Sequence, residues 1–139
     1  MGKVLVVDDD AGIRAAVRRT LLPLGHEVWD VPGGTEALPL LDLVPFDLVI
    51  TDVYTDAVDG MELLVRIQQK GLRVPIVVIS GGGYASADDV LDLAKACGAA
   101  ATLDKPFTAR QLRETVARVL DAWRPPGLPT ADQLEEDET

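Results

Sequence analysis

Five short runs of apolar and β-branched residues, separated by segments of helical spacing, constrain the fold of this chain most. The runs read KVLVV (3–7), HEVWDV (26–31), FDLVIT (46–51), VPIVVIS (74–80) and AATLD (100–104). Strands that alternate with helices pair in parallel through right-handed crossovers, and the helices cover both faces of the sheet. Stretches as apolar as IVVI are typical of strands buried on both sides. We therefore predict an α/β protein with a doubly wound, five-stranded parallel sheet of order 2-1-3-4-5.

Apolar side chains at helical spacing predict the helices between these strands. The first helix carries a stripe of Ile13, Val17, Leu21 and Leu24, and the last a stripe of Leu112, Val116, Val119, Leu120 and Trp123. Asp10 and Thr108 stand where N-caps are expected. Ser86, followed by Asp89, resembles the capping box that opens a fourth helix. Pro39 predicts that the second helix is short or kinked.

The length and the composition of the chain predict one folded domain and a tail. We place a single globular domain with a sizeable core at 1–123 of the 139 residues. From residue 124 the chain becomes Pro-rich, as RPPGLPT, and then acidic, as ADQLEEDET, which is typical of disorder. The net charge is −10, and five of the acids lie in that last stretch, which leaves −5 elsewhere. This sign is wrong for nucleic-acid phosphates, so we expect no direct nucleic-acid binding.

The cellular location is predicted from cysteine usage and from the length of the apolar runs. The single cysteine, Cys97, excludes an internal disulfide and fits a buried structural thiol in a reducing compartment. The first apolar run, Val4–Val7, is too short for a signal-peptide core or a membrane span. We expect a soluble cytoplasmic protein that does not bind membranes.

Acidic residues cluster where this topology predicts a ligand. In a sheet of order 2-1-3-4-5, ligands bind beyond the carboxyl ends of the strands, at the switch between strands 1 and 3. Asp8 and Asp9 follow the first strand, and Asp52 ends the third. Ser80 and Lys105 end the fourth and fifth strands. We expect all these side chains to lie at one edge of the sheet.

Carboxylates that converge beside an ammonium and a hydroxyl indicate phosphoryl chemistry. Mg²⁺ prefers a few carboxylate oxygens together with water and phosphate oxygens. Lys105 and Ser80 supply the donors that a phosphoryl group needs. One aspartate would be the nucleophile and would form an aspartyl phosphate. The simpler alternatives are a turn or helix cap at the paired aspartates and ordinary loops at Ser80 and at the Lys-Pro pair.

The order of the motifs resembles a known family. VVDDD, DLVITD, Asp59-Gly60, VVIS and DKPF occur as they do in the receiver domains of two-component response regulators, over roughly Lys3 to Trp123. The resemblance implies a flavodoxin-like (βα)5 fold. It also implies phosphorylation by a sensor histidine kinase or a histidine phosphotransfer protein, and an output protein that the sequence does not identify. With no effector domain in the tail, we interpret the chain as a stand-alone receiver.

The resemblance also assigns roles to the residues at the strand ends. It identifies Asp52 as the phosphoacceptor. Asp9, Asp52 and the backbone carbonyl of Tyr54 would bind Mg²⁺ directly, and Asp8 would act mainly through water. Such a domain catalyses its own phosphorylation and dephosphorylation and is not an enzyme acting on a separate substrate.

The remaining roles concern recognition of the phosphoryl group. Lys105 would pair with the phosphoryl oxygens, and Ser80 would hydrogen-bond the group and move inward on activation. The small Gly81 would leave access beside the acceptor. The donor histidine must come from another protein, because His26 opens the second strand, away from the site, and is expected to be ordinary surface.

Three positions depart from the family pattern. Thr55-Asp56 replace the usual Met-Pro, which makes the loop after the acceptor more polar. Thr102 stands at a switch position that is usually aromatic, so the common aromatic rotation is not available there. Tyr54 is bulky and would overhang the phosphoryl group.

Two other functions compete with phosphorylation-dependent signalling. A phosphorylation-independent scaffold with the same fold is kept open by Thr102. A phosphohydrolase of the haloacid dehalogenase type also uses a nucleophilic aspartate and Mg²⁺, but it requires Asp-x-Asp-x-Thr/Val. Here Asp8-x-Asp10 leads to Gly12, and Asp52-x-Tyr54 lacks the second acid.

Overall fold

The predicted strands form one parallel sheet. In a computed structural model that describes residues 2–53, 60–80 and 98–123, the sheet contains β1 (Lys3–Val7), β2 (Glu27–Val31), β3 (Leu48–Asp52), β4 (Ile76–Ser80) and β5 (Ala101–Asp104). The strand order is β2-β1-β3-β4-β5, and every neighbouring pair is parallel. The predicted doubly wound fold is confirmed.

The helices of the described ranges are α1 (Ala11–Leu21), α2 (Gly34–Leu43), α3 (Gly60–Gln69) and α4 (Ala109–Ala122), with a 3₁₀ turn at Leu22–Leu24. Asp10 caps α1 by accepting two backbone N–H bonds, at 2.8 and 3.3 Å. Thr108 caps α4 in a capping box with Gln111. Both predicted caps are confirmed, whereas the capping box predicted at Ser86 lies outside the described residues. Pro39 lies inside α2, a helix of ten residues.

The buried stripe of α1 ends earlier than predicted. Leu21 is fully buried, but Leu24 is 48% exposed, so the prediction that Leu24 joins the stripe is wrong. Pro23 lacks a backbone N–H and cannot extend the helical ladder. Leu22–Leu24 tighten instead into the 3₁₀ turn, which Gly25 ends in the left-handed region at φ 91°.

Two buried clusters hold the helices against opposite faces of the sheet. Alternate residues of a strand point to opposite faces, so Val4 and Val6 pack with α1 and α4, whereas Leu5 and Val7 pack with α2 and α3. The predicted stripe of α4 is confirmed: its buried members are Leu112, Val116 and Val119, with Leu120 and Trp123 partly buried beside them.

Several predictions fall outside what the structure describes or tests. Cys97 and the predicted tail, 124–139, lie outside the described residues, as do all of 54–59 and 81–97. Within the described ranges, none of the helices has the length and apolar character that a membrane span requires. The cytoplasmic location stays a prediction.

Candidate functional site

The carboxyl ends of β1 and β3 bring the three aspartates together. The two strands are neighbours with Val7 in register with Thr51, so Asp8 and Asp52 follow at adjacent positions of one edge. α1 and α3 pack on opposite faces of the sheet, which opens a crevice between the two strand ends. In that crevice, carboxylate oxygens of Asp8, Asp9 and Asp52 all lie within 4.8 Å of one another.

The three carboxylates differ in burial. Asp8 is fully buried and Asp52 is 6% exposed, whereas Asp9 is exposed. The Asp8 backbone N–H donates to the Val31 carbonyl at 3.2 Å, and the Asp10 N–H donates to Asp8 Oδ1 at 2.9 Å. Asp8 is therefore fixed within the protein, while Asp9 presents its carboxylate to solvent.

Lys105 places its ammonium between the two buried carboxylates. Lys105 Nζ lies 2.6 Å from Asp52 Oδ2, to which it donates a hydrogen bond, and 3.0 Å from Asp8 Oδ2. The second contact is an ion pair outside hydrogen-bond geometry, so Asp8 Oδ2 receives no hydrogen bond from the described residues. The Lys105 backbone N–H donates to the Ser80 carbonyl at 2.7 Å, which ties the lysine to the end of β4, and the Lys105–Pro106 peptide is cis.

The charges in the crevice shift two pKa values. Burial raises the pKa of Asp8, and the charge of Asp52 adds to this, although the Asp10 N–H and Lys105 act against it. Burial alone would lower the pKa of Lys105, but its contacts with Asp52 and Asp8 outweigh that effect and raise the pKa above its ordinary value. The ammonium is therefore fully charged at neutral pH.

Ser80 contributes a hydroxyl at the end of β4. Asp52 is in register with Ile79, so Ser80 stands one position farther along the neighbouring strand. Its side chain is buried, and Oγ has no hydrogen-bond partner among the described residues. A buried polar atom normally has such a partner. This hydroxyl can therefore donate to the oxygen of a ligand that enters the crevice.

Two other residues named from the sequence do not belong to the described crevice. Tyr54, the predicted carbonyl ligand, lies outside the described residues. His26 precedes β2 at the amino edge of the sheet, opposite the acids, and its Nδ1 accepts a hydrogen bond from the Gly2 N–H at 3.0 Å. The predicted position of His26 away from the site is confirmed. Burial and the charge of the amino terminus lower the pKa of its imidazole.

The donor set of the crevice fits a hard divalent cation. All three acidic groups offer oxygen, the ligand atom that Mg²⁺ prefers. The Lys105 ammonium contacts two of these three carboxylates, those of Asp8 and Asp52, so three negative charges stand against one ammonium. Asp8 Oδ2, buried without a hydrogen bond from the described residues, adds an acceptor that a cation or its bound water can use.

Reasoning from the sequence missed two residues at this edge. Arg14 of α1 donates to the Asp8 carbonyl oxygen at 2.7 Å and pairs with Asp30 of β2 at 3.1 Å. The one signal in the sequence is that Arg14 stands one helical turn after the Asp10 cap, where its side chain can reach back to the helix start. Nothing in the sequence selects Asp30 as its partner.

A family model and several known proteins match most of this chain. The family model described as response regulator receiver domain matches residues 4–117. Response regulator protein FleR of Pseudomonas aeruginosa is 40% identical over 116 residues, which are 84% of this chain and 24% of FleR. Chemotaxis protein CheY of the same organism is 30% identical over 122 residues, which are 86% of this chain and 96% of CheY. The chain thus spans about a quarter of FleR and nearly all of CheY.

Solved structures share the fold at similar sequence identity. The receiver domain of NtrX from Brucella abortus has a TM-score of 0.79 and 31% identity, with 86% of this chain and 99% of that chain covered. Vibrio cholerae chemotaxis protein CheY4 has a TM-score of 0.74 and 36% identity, with 86% of this chain and 98% of that chain covered.

Proposed function

Because this chain belongs to the response regulator receiver family, whose members switch by phosphorylation, we propose that Asp52 is its phosphoacceptor. The donor is a phosphohistidine on a sensor histidine kinase or a histidine phosphotransfer protein. The observation that carries the proposal is the position of Asp52 beside Lys105, with Nζ 2.6 Å from Oδ2, in a crevice of three carboxylates. An ammonium there can pair first with the carboxylate of the aspartate and then, after phosphorylation, with the phosphoryl oxygens.

The transfer needs one bond made and one bond broken. A carboxylate oxygen of Asp52 attacks the phosphorus, the phosphorus–nitrogen bond of the donor breaks, and the imidazole leaves with the electron pair. The Lys105 ammonium already contacts Asp52, so it can exchange its contact with the carboxylate for one with the phosphoryl oxygens. The buried hydroxyl of Ser80 donates to a phosphoryl oxygen and responds to its arrival by moving inward.

The acids of the crevice would hold Mg²⁺ for this step. Asp9 and Asp52 would ligate it directly, Asp8 would act mainly through water, and the Tyr54 carbonyl is a further ligand proposed from the family resemblance. When bound, the ion supplies positive charge that offsets the carboxylates and the phosphoryl oxygens. The support for this assignment is the oxygen-only donor set within 4.8 Å.

The output is a change of protein binding and not the turnover of a separate substrate. The domain catalyses its own phosphorylation and dephosphorylation, and phosphorylation alters the surface offered to an output protein. Thr102, half-buried in β5, cannot act by the rotation of an aromatic ring. The inward movement of Ser80 therefore has to be coupled to that surface by other groups.

Intact-mass measurement tests the proposal. The purified chain is incubated with acetyl phosphate, with Mg²⁺ or with a chelator, beside an Asp52→Ala variant. We expect one added phosphoryl group on the wild type with Mg²⁺ only, and none on the variant. A wild type that takes up no phosphoryl group would favour the scaffold function, and continuous release of phosphate by the variant would favour a phosphohydrolase.

A further inference from the structure

Arg14 connects the acidic loop, Asp8–Asp10, to Asp30 of the neighbouring strand β2. Its Nη1 donates to the carbonyl oxygen of Asp8 at 2.7 Å, and its Nε donates to Asp30 Oδ2 at 3.1 Å. The Arg14 side chain is 18% exposed and the Asp30 side chain 30%, so both contacts are partly shielded from water. One rigid guanidinium therefore spans the start of α1, the loop after β1 and the strand β2.

The carbonyl that Arg14 contacts belongs to the peptide between Asp8 and Asp9. Holding that oxygen restricts rotation of the peptide plane, and this plane contains the Asp9 Cα from which the Asp9 side chain starts. Asp9 is exposed, and none of the described residues donates a hydrogen bond to its carboxylate. The placement of the Asp9 carboxylate thus depends on its backbone.

The positive charge of Arg14 lowers the affinity of the crevice for a cation, whereas its contact with the Asp8 carbonyl would raise that affinity. A guanidinium bound to the backbone carbonyl of Asp8 reduces the attraction of the nearby acids for a cation, and pairing with Asp30 offsets only part of its charge. Removing the charge alone would tighten cation binding, whereas removing the contact with the carbonyl would weaken it. The sign of the change therefore separates the two effects.

We propose that Arg14, held by Asp30, is a positioning residue that sets the Asp8–Asp9 peptide for divalent-cation binding. This inference rests on the proposed function, in which the acidic crevice holds Mg²⁺. Arg14 donates to the Asp8 carbonyl and to Asp30, so it acts through the backbone that carries the ligands.

Arg18 provides a matched control on the same helix. Its Nη1 pairs with Asp30 Oδ1 at 3.0 Å and donates to the Val28 carbonyl at 2.7 Å. It shares the carboxylate partner, the charge and the strand with Arg14. Among the described residues, Arg18 makes no hydrogen bond or ion pair with Asp8, Asp9 or Asp10.

The experiment measures the affinity of the full chain for Mn²⁺ by electron paramagnetic resonance and for Mg²⁺ by calorimetry. We expect Arg14→Met to bind about 10-fold more weakly than the wild type, in the range seen when outer contacts of metal ligands are lost. Arg18→Met should keep the wild-type affinity, although both variants lose thermal stability in chelator. Arg14→Lys, which keeps the charge but cannot span both partners, should also bind more weakly than the wild type.

Four other results would overturn the proposed role of Arg14. If Arg14→Met binds as tightly as the wild type or more tightly, the inference is wrong and the proposed metal site stands. If Arg18→Met weakens binding equally, the effect is one of general stability and the inference again fails. If Arg14→Met does not fold, Arg14→Lys decides, and wild-type affinity in that variant overturns the inference. A wild type that binds neither ion overturns the proposed metal site and the inference with it.

Discussion

The Lys105 ammonium lies 2.6 Å from Asp52 and 3.0 Å from Asp8, so two buried carboxylates share one positive charge. This arrangement explains how the fold tolerates its acids without a metal ion. The ammonium offsets part of the repulsion, and the Asp10 N–H offsets a further part at Asp8. The crevice nevertheless keeps more negative than positive charge, which leaves it ready for a cation.

Loss of the shared ammonium should destabilise the fold. Lys105→Met removes the ammonium that Asp8 and Asp52 share, and we expect a loss of about 3 kcal/mol in the free energy of unfolding. Urea unfolding in chelator at neutral pH measures it. The control is Arg110→Met, which removes an exposed pair with Glu114 and should cost less than about 0.5 kcal/mol. Equal losses in the two variants would mean that Lys105 makes only a surface pair.

Removing the Asp52 charge should stabilise the metal-free protein. Asp52→Asn relieves repulsion with Asp8 and keeps an oxygen that can accept from Lys105, so we expect a gain of roughly 1 kcal/mol. The melting temperature in chelator should rise by about 2–6 °C. Asp42→Asn, which removes an acid paired with Lys70 on the surface, is the control and should not melt higher.

Mg²⁺ should stabilise the wild type more than it stabilises Asp52→Asn. Millimolar Mg²⁺ should raise the melting temperature of the wild type by mass action, and that of Asp52→Asn less, because the variant weakens one of the proposed direct ligands. Melting curves of both proteins with chelator and with Mg²⁺ give the comparison. If the variant melts lower in chelator and responds to Mg²⁺ as fully as the wild type, the carboxylates do not form a coupled metal site.

Acid should weaken the fold through His26, far from the crevice. The pKa of His26 lies below its ordinary 6.5 because burial and the amino-terminal charge disfavour the imidazolium. The unfolded chain therefore binds more protons, so stability is full above pH 6.5 and falls as the pH drops through the folded-state value. His26→Gln, which does not titrate, should lose less stability between pH 7 and pH 5. Parallel urea-denaturation curves at both pH values measure the difference, and equal losses would rule out His26 as the cause.

The capping box of α4 should contribute to stability without affecting the crevice. Thr108 Oγ1 accepts from the Gln111 N–H at 3.0 Å, and the Gln111 side chain accepts from the Thr108 N–H at 2.8 Å. Thr108→Ala should cost about 1 kcal/mol in the free energy of unfolding. Thr108→Ser keeps the hydroxyl and should stay near the wild type. Affinity for Mg²⁺ should be unchanged in both, and a loss of affinity would show that α4 is coupled to the metal site.

Local signals in the sequence account for the features that were predicted correctly. The apolar β-branched runs and their alternation with helices determine the sheet, and the caps at Asp10 and Thr108 depend on residues within one turn. The placement of Asp8, Asp9 and Asp52 follows from strand order, because parallel strands end at one edge. Short-range patterns are sufficient for the strands and the caps, and the strand order of the fold class adds the placement of the aspartates.

Features that depend on tertiary geometry were not predictable in this way. The helical spacing of α1 predicts that its buried stripe continues to Leu24. In the structure, Pro23 turns the chain out of the helix before that residue. The contacts of Arg14 with Asp30 and of Lys105 with Asp8 join residues whose distance is set by the packing of α1 and of β5. Spacing along the sequence carries no information about such pairs.

The location of the phosphoryl group decides whether Asp52 is the phosphoacceptor. The chain is phosphorylated with acetyl phosphate and Mg²⁺, the acyl phosphate is reduced with borohydride to the alcohol, and the peptides are mapped by mass spectrometry. We expect a reduced side chain at Asp52 and unmodified side chains at Asp8 and Asp9. Reduction at Asp8 or Asp9, or at no aspartate of the crevice, would contradict this expectation.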